Sequence, residues 1–388
     1  MTWLQHMAWI SALGRGDAAR DALFAGAPRG VAPTDHYTPG RVLHLGRVQQ
    51  RLPSLEDEAV IFRSRTNALL AAVLEDLQPA LGALRIAPQR LAVVLGISAA
   101  GLQEGQRAAN LWRTEQRWPA DHDYAQQEMG NAAAFVARRS GAAGPAYTIS
   151  TACSSGAKAL AAGARLLRAG IADAVIAGGA DALSAFTIAG FSALESVSAE
   201  RCNPLSANRA GINIGEGAAL FVMTREPGPV RLSGWGESSD AHHMSAPEPG
   251  GRGALAAMRS ALARAQLAAG DIDYVNLHGT ATPHNDAMES LAVHQLLGGD
   301  VPVSSTKPLT GHTLAAAGAV EAAACWHTLV DNPQGRLPPH WWDGVRDPTL
   351  APVRVAVPGE ALGRAPRHVL SNSFAFGGSN ACLVLSRE

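Results

Sequence analysis

The residues best suited to covalent chemistry are one thiol and two imidazoles. Cys153 closes the run Tyr147-Thr-Ile-Ser-Thr-Ala-Cys153 and is followed by Ser154, Ser155 and Gly156. An apolar, β-branched stretch that stops at a thiol and passes into an alanine-rich segment reads as strand, sharp turn and helix, with sulfur at the helix N-terminus. Free N–H groups and the helix dipole favour a thiolate there, so a lowered pKa and a nucleophile are expected. His278 stands in Leu277-His-Gly-Thr-Ala-Thr-Pro-His-Asn-Asp286, and His312 in Lys307-Pro-Leu-Thr-Gly-His312. Two histidines beside a cysteine can act as base, acid or hydrogen-bond donors to an oxyanion. They can also hold zinc, but no short-spaced pair fastens two of the three ligands together, which disfavours a metal site.

Three further features bear on this chemistry. Gly377 and Gly378, in Leu370-Ser-Asn-Ser-Phe-Ala-Phe-Gly-Gly-Ser-Asn-Ala381, permit positive φ or close approach of backbone to a ligand. This stretch reads as a loop longer than a hairpin needs, able to place an N–H beside that of Cys153 in an oxyanion hole. Glu289 is placed to pair with Lys307, at a desolvation cost that only good geometry offsets. Glu216 reads as support for a loop, and Asp181 and Glu195 as structural or solvated carboxylates.

The elements that must position these groups are strands at whose ends the reactive residues sit, with covering helices. Leu91–Ile97 is a nearly continuous apolar run of the kind buried on both faces of a sheet, and Phe62–Leu81 carries leucines at helical spacing. The pattern indicates an α/β protein. Three stretches recur in order: 91–98 with 273–280, 149–156 with 303–312, and 174–181 with 369–378. Two related α/β halves follow, 1–229 with the cysteine and 230–388 with both histidines and the Phe-Gly-Gly segment, punctuated at Pro227-Gly-Pro229. Loops from both halves can then converge in one cleft.

Composition narrows the alternatives. The 388 residues are 47% hydrophobic and 17% charged, the latter below the roughly 25% of an average soluble protein. Lys and Arg total 32 against 33 acidic residues, a net charge of -1 that gives no positive field for nucleic acid. Four scattered cysteines suggest neither a disulfide scaffold nor a Cys-x-x-Cys metal site. With no basic leader and no apolar run of membrane-spanning length, a cytoplasmic protein without membrane insertion is expected.

These residues resemble the β-ketoacyl-acyl-carrier-protein synthases of the thiolase-like superfamily along nearly the whole chain. The resemblance rests on Thr151-Ala-Cys-Ser-Ser155, Gly215-Glu-Gly217, His278-Gly-Thr-Ala-Thr282 with Asn285, Asp286 and Glu289, Lys307 with Gly311-His-Thr313, and Asn372-Ser-Phe-Ala-Phe-Gly-Gly-Ser-Asn380. It implies a thiolase-like fold of two related α/β halves in alternating helix and sheet layers. It implies Cys153 as acyl-accepting nucleophile, His278 and His312 as the pair supporting decarboxylative condensation, and Lys307 with Glu289 as a supporting ion pair. Phe376, Gly377, Gly378, Thr280 and Thr282 become substrate-binding positions, with the Cys153 and Phe376 N–H groups as oxyanion hole and Phe376 as gate. No intrinsic cofactor or metal is implied, since phosphopantetheine arrives on the acyl carrier protein. The partners implied are that carrier and a second ketosynthase subunit, in a homodimer or in a heterodimer with a chain-length-factor-like relative.

Departures from the family pattern narrow the expectation further. The first strand reads as short, and Ala375 replaces a usual glycine before the gate residue. The compact N-terminus and Pro204-Leu-Ser-Ala-Asn-Arg-Ala-Gly211 resemble synthases of aryl-polyene and related secondary-metabolite pathways. A housekeeping fatty-acid elongation synthase and a noncatalytic chain-length-factor-like partner remain the alternatives. The second histidine and the Phe-Gly-Gly end speak against synthases that use coenzyme A primers and against biosynthetic thiolases.

Overall fold

The computed structural model describes residues 1–25 and 27–388. The body of its sheet is built from β1 (Trp3–Ser11), β2 (Leu91–Gly96), β3 (Ala146–Ile149), β4 (Ala174–Asp181) and β5 (Gly217–Thr224), then β6 (Val230–Ser239), β7 (Tyr274–Asn276), β8 (Pro302–Ser304), β9 (His368–Ala375) and β10 (Ser379–Ser386), with two-residue strands at Gly14–Arg15 and Arg354–Val355 beside it. The first five run in the order β1-β5-β4-β2-β3 and the second five in the order β6-β10-β9-β7-β8. Each strand therefore has a counterpart five places later, with matching parallel and antiparallel neighbours. The repeat read from the sequence is thus present as repeated topology. The two sets meet where Trp3 and Leu4 of β1 pair with Arg231 and Val230 of β6.

Helices cover these strands in layers. Helices α1 (Arg65–Ala83) and α2 (Asn131–Ser140) lie on the outer face of the first set, and α4 (Arg252–Ala265) packs on β6 and β10 of the second, with α5 (Pro283–Leu297) against α4. Between the sets lie α3 (Ser155–Arg168) and α6 (Ala317–Leu329), which pack against each other and touch strands of both. The arrangement is helix, sheet, helix, sheet, helix, with an apolar core in each interval. Strands sandwiched this way have both faces dry, which is why β2, β4 and β5 are buried at every position and lack polar alternation.

The central layer is thin because its helices are made of alanine and glycine. A Cβ on Gly318 would lie 2.7 Å from Ala157 N, and one on Gly156 would lie 2.7 Å from Ala319 N. The two helices cross backbone to backbone at the second residue of each.

Three expectations are corrected here. The first strand is nine residues long, not short. The expected loop of residues 370–381 is a tight hairpin: β9 and β10 pair from His368↔Ser386 to Ala375↔Ser379, leaving only Phe376-Gly-Gly378 in the turn. Its small polar residues serve burial in the strand, since Ser371, Asn372 and Ser373 are inaccessible. The helix expected at Phe62–Leu81 begins later, at Arg65, where the Ser64 side chain accepts from Asn67 N.

Candidate active site

The turn that carries Cys153 is set by local backbone chemistry. β3 ends at Ile149, and Ala152 takes a left-handed φ of 50°, which costs a β-carbon-bearing residue about 1–2 kcal/mol. Ser155 Oγ accepts from Thr151 N and donates to Ala152 O, closing the turn and starting α3. Cys153 projects from this turn at the helix N-terminus and is 6% exposed. The expected lowered pKa is overturned. Burial pushes the Cys153 thiol up to about 12, with Lys307 and the N–H groups of Cys153 and Phe376 pulling the other way. The resting sulfur is a thiol, and those two N–H groups face it.

His278 follows β7, and His312 follows β8 after a short helical turn at Lys307–Thr310. Donor atoms of Cys153, His278 and His312 all lie within 4.8 Å of one another, and the imidazoles meet edge to face at 5.3 Å. Burial, followed by the Lys307 charge, holds both histidines well below the usual imidazole range, so both are neutral. Their tautomers follow from their partners. Lys307 Nζ lies 3.3 Å from His278 Nδ1, and Leu314 N donates to His312 Nδ1 at 3.2 Å. An ammonium and a backbone N–H only donate, so each Nδ1 is an acceptor and each Nε2 carries the proton. The site thus holds two neutral N–H donors beside a thiol. A metal would have to sit next to the Lys307 ammonium, which opposes a cation.

The expected Lys307–Glu289 ion pair is absent. Lys307 Nζ donates to the Glu321 carboxylate and to His278 O. Glu289 instead accepts from His278 N at 2.8 Å, Gly279 N at 2.7 Å, and the amides of Asn372 and Asn285. Lys307 and Glu289 both hold His278, from opposite sides of its backbone, without holding each other. Burial raises both carboxyls, Glu289 and Glu321, to about 7. Glu321 was missed by the sequence reading, although it is the sole carboxylate in the alanine-rich Ala317–Leu329.

Cys153, His278 and His312 open onto a cavity of ≈ 570 Å³ that is also lined by Thr280, Thr282, Phe374, Ala375 and Phe376. The hydroxyls of Thr280 and Thr282 lie 2.9 Å apart on its wall. Phe191, another residue the sequence reading missed, faces Phe376 with ring centroids 5.9 Å apart. Lys307, Glu289, Gly377 and Gly378 lie outside the lining. The glycines shape the turn, both at positive φ, with Gly377 N donating to Met244 O and Gly378 O accepting from Asp240 N. Ala375 has an extended φ of -111°, so its β-carbon costs the backbone nothing.

The remaining carboxylates divide by environment. Asp181 is fully buried, not solvated, and accepts from Ser98, Ala99 N and Ala315 N. Glu216 is buried against Arg65 and accepts from Val48 N and Leu183 N. Glu195 is exposed at the cavity mouth.

Residues 56–227 match the model of the beta-ketoacyl synthase N-terminal domain, and residues 230–340 match that of the C-terminal domain. The chain belongs to the beta-ketoacyl synthase family. This is a family of condensing, acyltransferase-type enzymes, and its thiolase-like architecture is the layered one described above. The chain is 34% identical to the tetracenomycin polyketide synthase ketoacyl synthase alpha subunit of Streptomyces glaucescens over 77% of this chain and 75% of that one. It is 38% identical to 3-oxoacyl-[acyl-carrier-protein] synthase 2 of Rhizobium meliloti over 66% of this chain, a match spanning 64% of that relative's length. Among solved structures, the ketosynthase ApeO, in complex with its chain length factor ApeC from Xenorhabdus doucetiae, superposes with a TM-score of 0.94 at 42% identity, covering 100% of this chain and 98% of that one. No helix among the described residues is long and apolar enough to cross a membrane.

Proposed function

We propose that this chain is a catalytic β-ketoacyl-acyl-carrier-protein synthase that joins an acyl thioester to malonyl-carrier protein by decarboxylative Claisen condensation. The observation that carries the reading is a buried thiol within 4.8 Å of two imidazoles, each fixed by its Nδ1 partner as an Nε2–H donor. In the first half-reaction Cys153 sulfur attacks the acyl thioester carbonyl. The Cys153 and Phe376 N–H groups receive the oxyanion, and the carrier's pantetheine sulfur departs with the thiol proton, so no charge is left in the dry site. In the second, malonyl thioester places its carbonyl oxygen against His278 and His312. Loss of carbon dioxide leaves the bonding pair on the α-carbon as an enolate, whose oxygen the two Nε2–H groups stabilise. That carbon attacks the acyl-Cys153 carbonyl, the sulfur leaves as thiolate, and it takes a proton from water to return to the thiol.

Retention of the thiol and both donors supports a catalytic subunit over a noncatalytic chain-length-factor-like one. Likeness to a ketosynthase that pairs with a chain length factor supports a similar heterodimer here and a specialised polyene or polyketide-like product over housekeeping elongation. The deciding experiment incubates the protein, with any partner, with acyl- and malonyl-carrier thioesters and follows both the mass of Cys153 and carbon dioxide release. Acylation that disappears in C153A supports the reading; absence of a Cys153 adduct across a broad acyl panel overturns it.

A further inference from the structure

The backbone segments that face Cys153 sulfur are tied together outside the cavity by Ser154 and Ser379, which the motifs contain, and by Lys158, which they do not. Lys158 lies on α3 and is partly buried. Its Nζ donates to Ser379 Oγ at 2.6 Å. Ser379 opens β10 directly after the Phe376-Gly-Gly turn and pairs with Ala375 across the hairpin. Ser379 Oγ is 3.0 Å from Ser154 Oγ, and Ser154 Oγ is 2.8 Å from Thr151 O.

The Thr151 carbonyl at one end and the Lys158 ammonium at the other set the direction of this chain. An ammonium donates only, so Ser379 Oγ accepts from Lys158, and because the single Ser154 proton goes to the Thr151 carbonyl, Ser379 Oγ donates to Ser154. The Ser154–Ser379 and Lys158–Ser379 links join one oxyanion donor's segment to the other: Ser154 is bonded to Cys153 in sequence, and Ser379 closes the turn that carries Phe376. Burial and the neighbouring Arg165 both work against the Lys158 charge, so the position is held at a cost.

We propose that Lys158, acting through Ser379 and Ser154, is a positioning residue that fixes the separation of the Cys153 and Phe376 N–H groups for acyl transfer. This rests on the condensing reading above. Its effect is selective, because the donors used for decarboxylation are held separately, His278 by Lys307 and His312 by Leu314 N. Misplacing oxyanion donors by a fraction of an ångström to an ångström costs roughly 10- to 100-fold in rate.

The test uses the intact protein with its carrier and any partner, as K158M, K158R, S379A and the K158M/S379A double variant. First-turnover acylation of Cys153 is read by quenched-flow mass spectrometry, and malonyl-carrier decarboxylation is read in parallel. K158M and S379A are expected to slow acylation roughly 10- to 100-fold more than decarboxylation. K158R recovers most of the loss, and the double variant is no worse than either single. Parallel loss of both half-reactions, no loss, or additive loss overturns the proposal. If K158M does not fold, S379A tests the same link by removing one hydroxyl. A wild-type protein that never acylates Cys153 refutes the condensing reading instead, and the same assay separates that failure from a K158M that acylates normally.

Discussion

Replacing Lys307 with methionine removes the group that assigns His278 its tautomer, while preserving most of the side-chain volume. Nζ now donates to His278 Nδ1, His278 O and Glu321, all in a buried setting. Without it, His278 Nδ1 has no donor to accept from, and the proton is free to move to Nδ1, where His278 O or a water can take it. Nε2 then presents a lone pair to the enolate oxygen in place of a proton. Loss of one oxyanion donor costs about 2.7–4 kcal/mol, or roughly 100- to 1000-fold in rate. Stability falls less than the about 3–5 kcal/mol expected when one partner of a buried ion pair is removed, because Glu321 is already raised to about 7 and takes a proton when the lysine goes. Malonyl-carrier decarboxylation measures the rate, ¹⁵N chemical shifts of the imidazoles measure the tautomer, and urea denaturation measures the stability. A K307M protein that keeps the Nε2–H form at His278 and decarboxylates within about threefold of wild type would refute the tautomer argument.

Other outcomes follow from the same structure. E289A leaves the His278 and Gly279 N–H groups buried without an acceptor, about 1–3 kcal/mol each, so chemical denaturation should show a loss of about 2–6 kcal/mol together with reduced condensation. Alkylation of Cys153 by iodoacetamide should accelerate with pH toward about 12 and be slower in K307M, since Lys307 is the largest influence lowering that thiol; a rate flat from neutral pH upward would contradict a buried thiol. G318A overpacks the helix crossing and should cost about 1–3 kcal/mol, whereas G270A, with open space around its Cβ, should not. His340 is held at about 4 by burial, below its free value near 6.5. Its contribution is therefore present above pH 6.5 and lost as pH falls through 4, up to about 3 kcal/mol, and H340Q should flatten that part of the stability profile.

Much of this site was legible in the sequence because strand ends and helix starts carry local signatures. Cys153 and both histidines stand at such junctions, and the repeat of their surroundings anticipated the repeated strand order. What escaped was set by packing across layers. Lys307 and Glu289 do converge, as their spacing hinted, but on the two sides of His278, and the true partner Glu321 comes from a helix of the central layer. No local pattern ties residue 307 to 321 in preference to 289. The Cys153 pKa was misjudged because a helix terminus is a local feature, whereas burial is a property of the whole fold. Ser371, Asn372 and Ser373 looked like a loop because they are small and polar, and Ser373 is small because the Gly318 backbone of α6 lies close over it. Phe191 lies in none of the motifs, so no local pattern marks it.

The crossing of α3 and α6 has a consequence for how such a protein can diversify. Cys153 and His312 each precede one of these helices, and the helices touch through Gly156 and Gly318, peptide against peptide. A contact made of backbone and alanine methyls has no rotamers to exchange. The spacing of Cys153 and His312 is thereby inherited with the backbone, while the cavity wall at Phe191, Ala375 and Phe376 is written in side chains. A lineage can change what it carries without disturbing how it reacts.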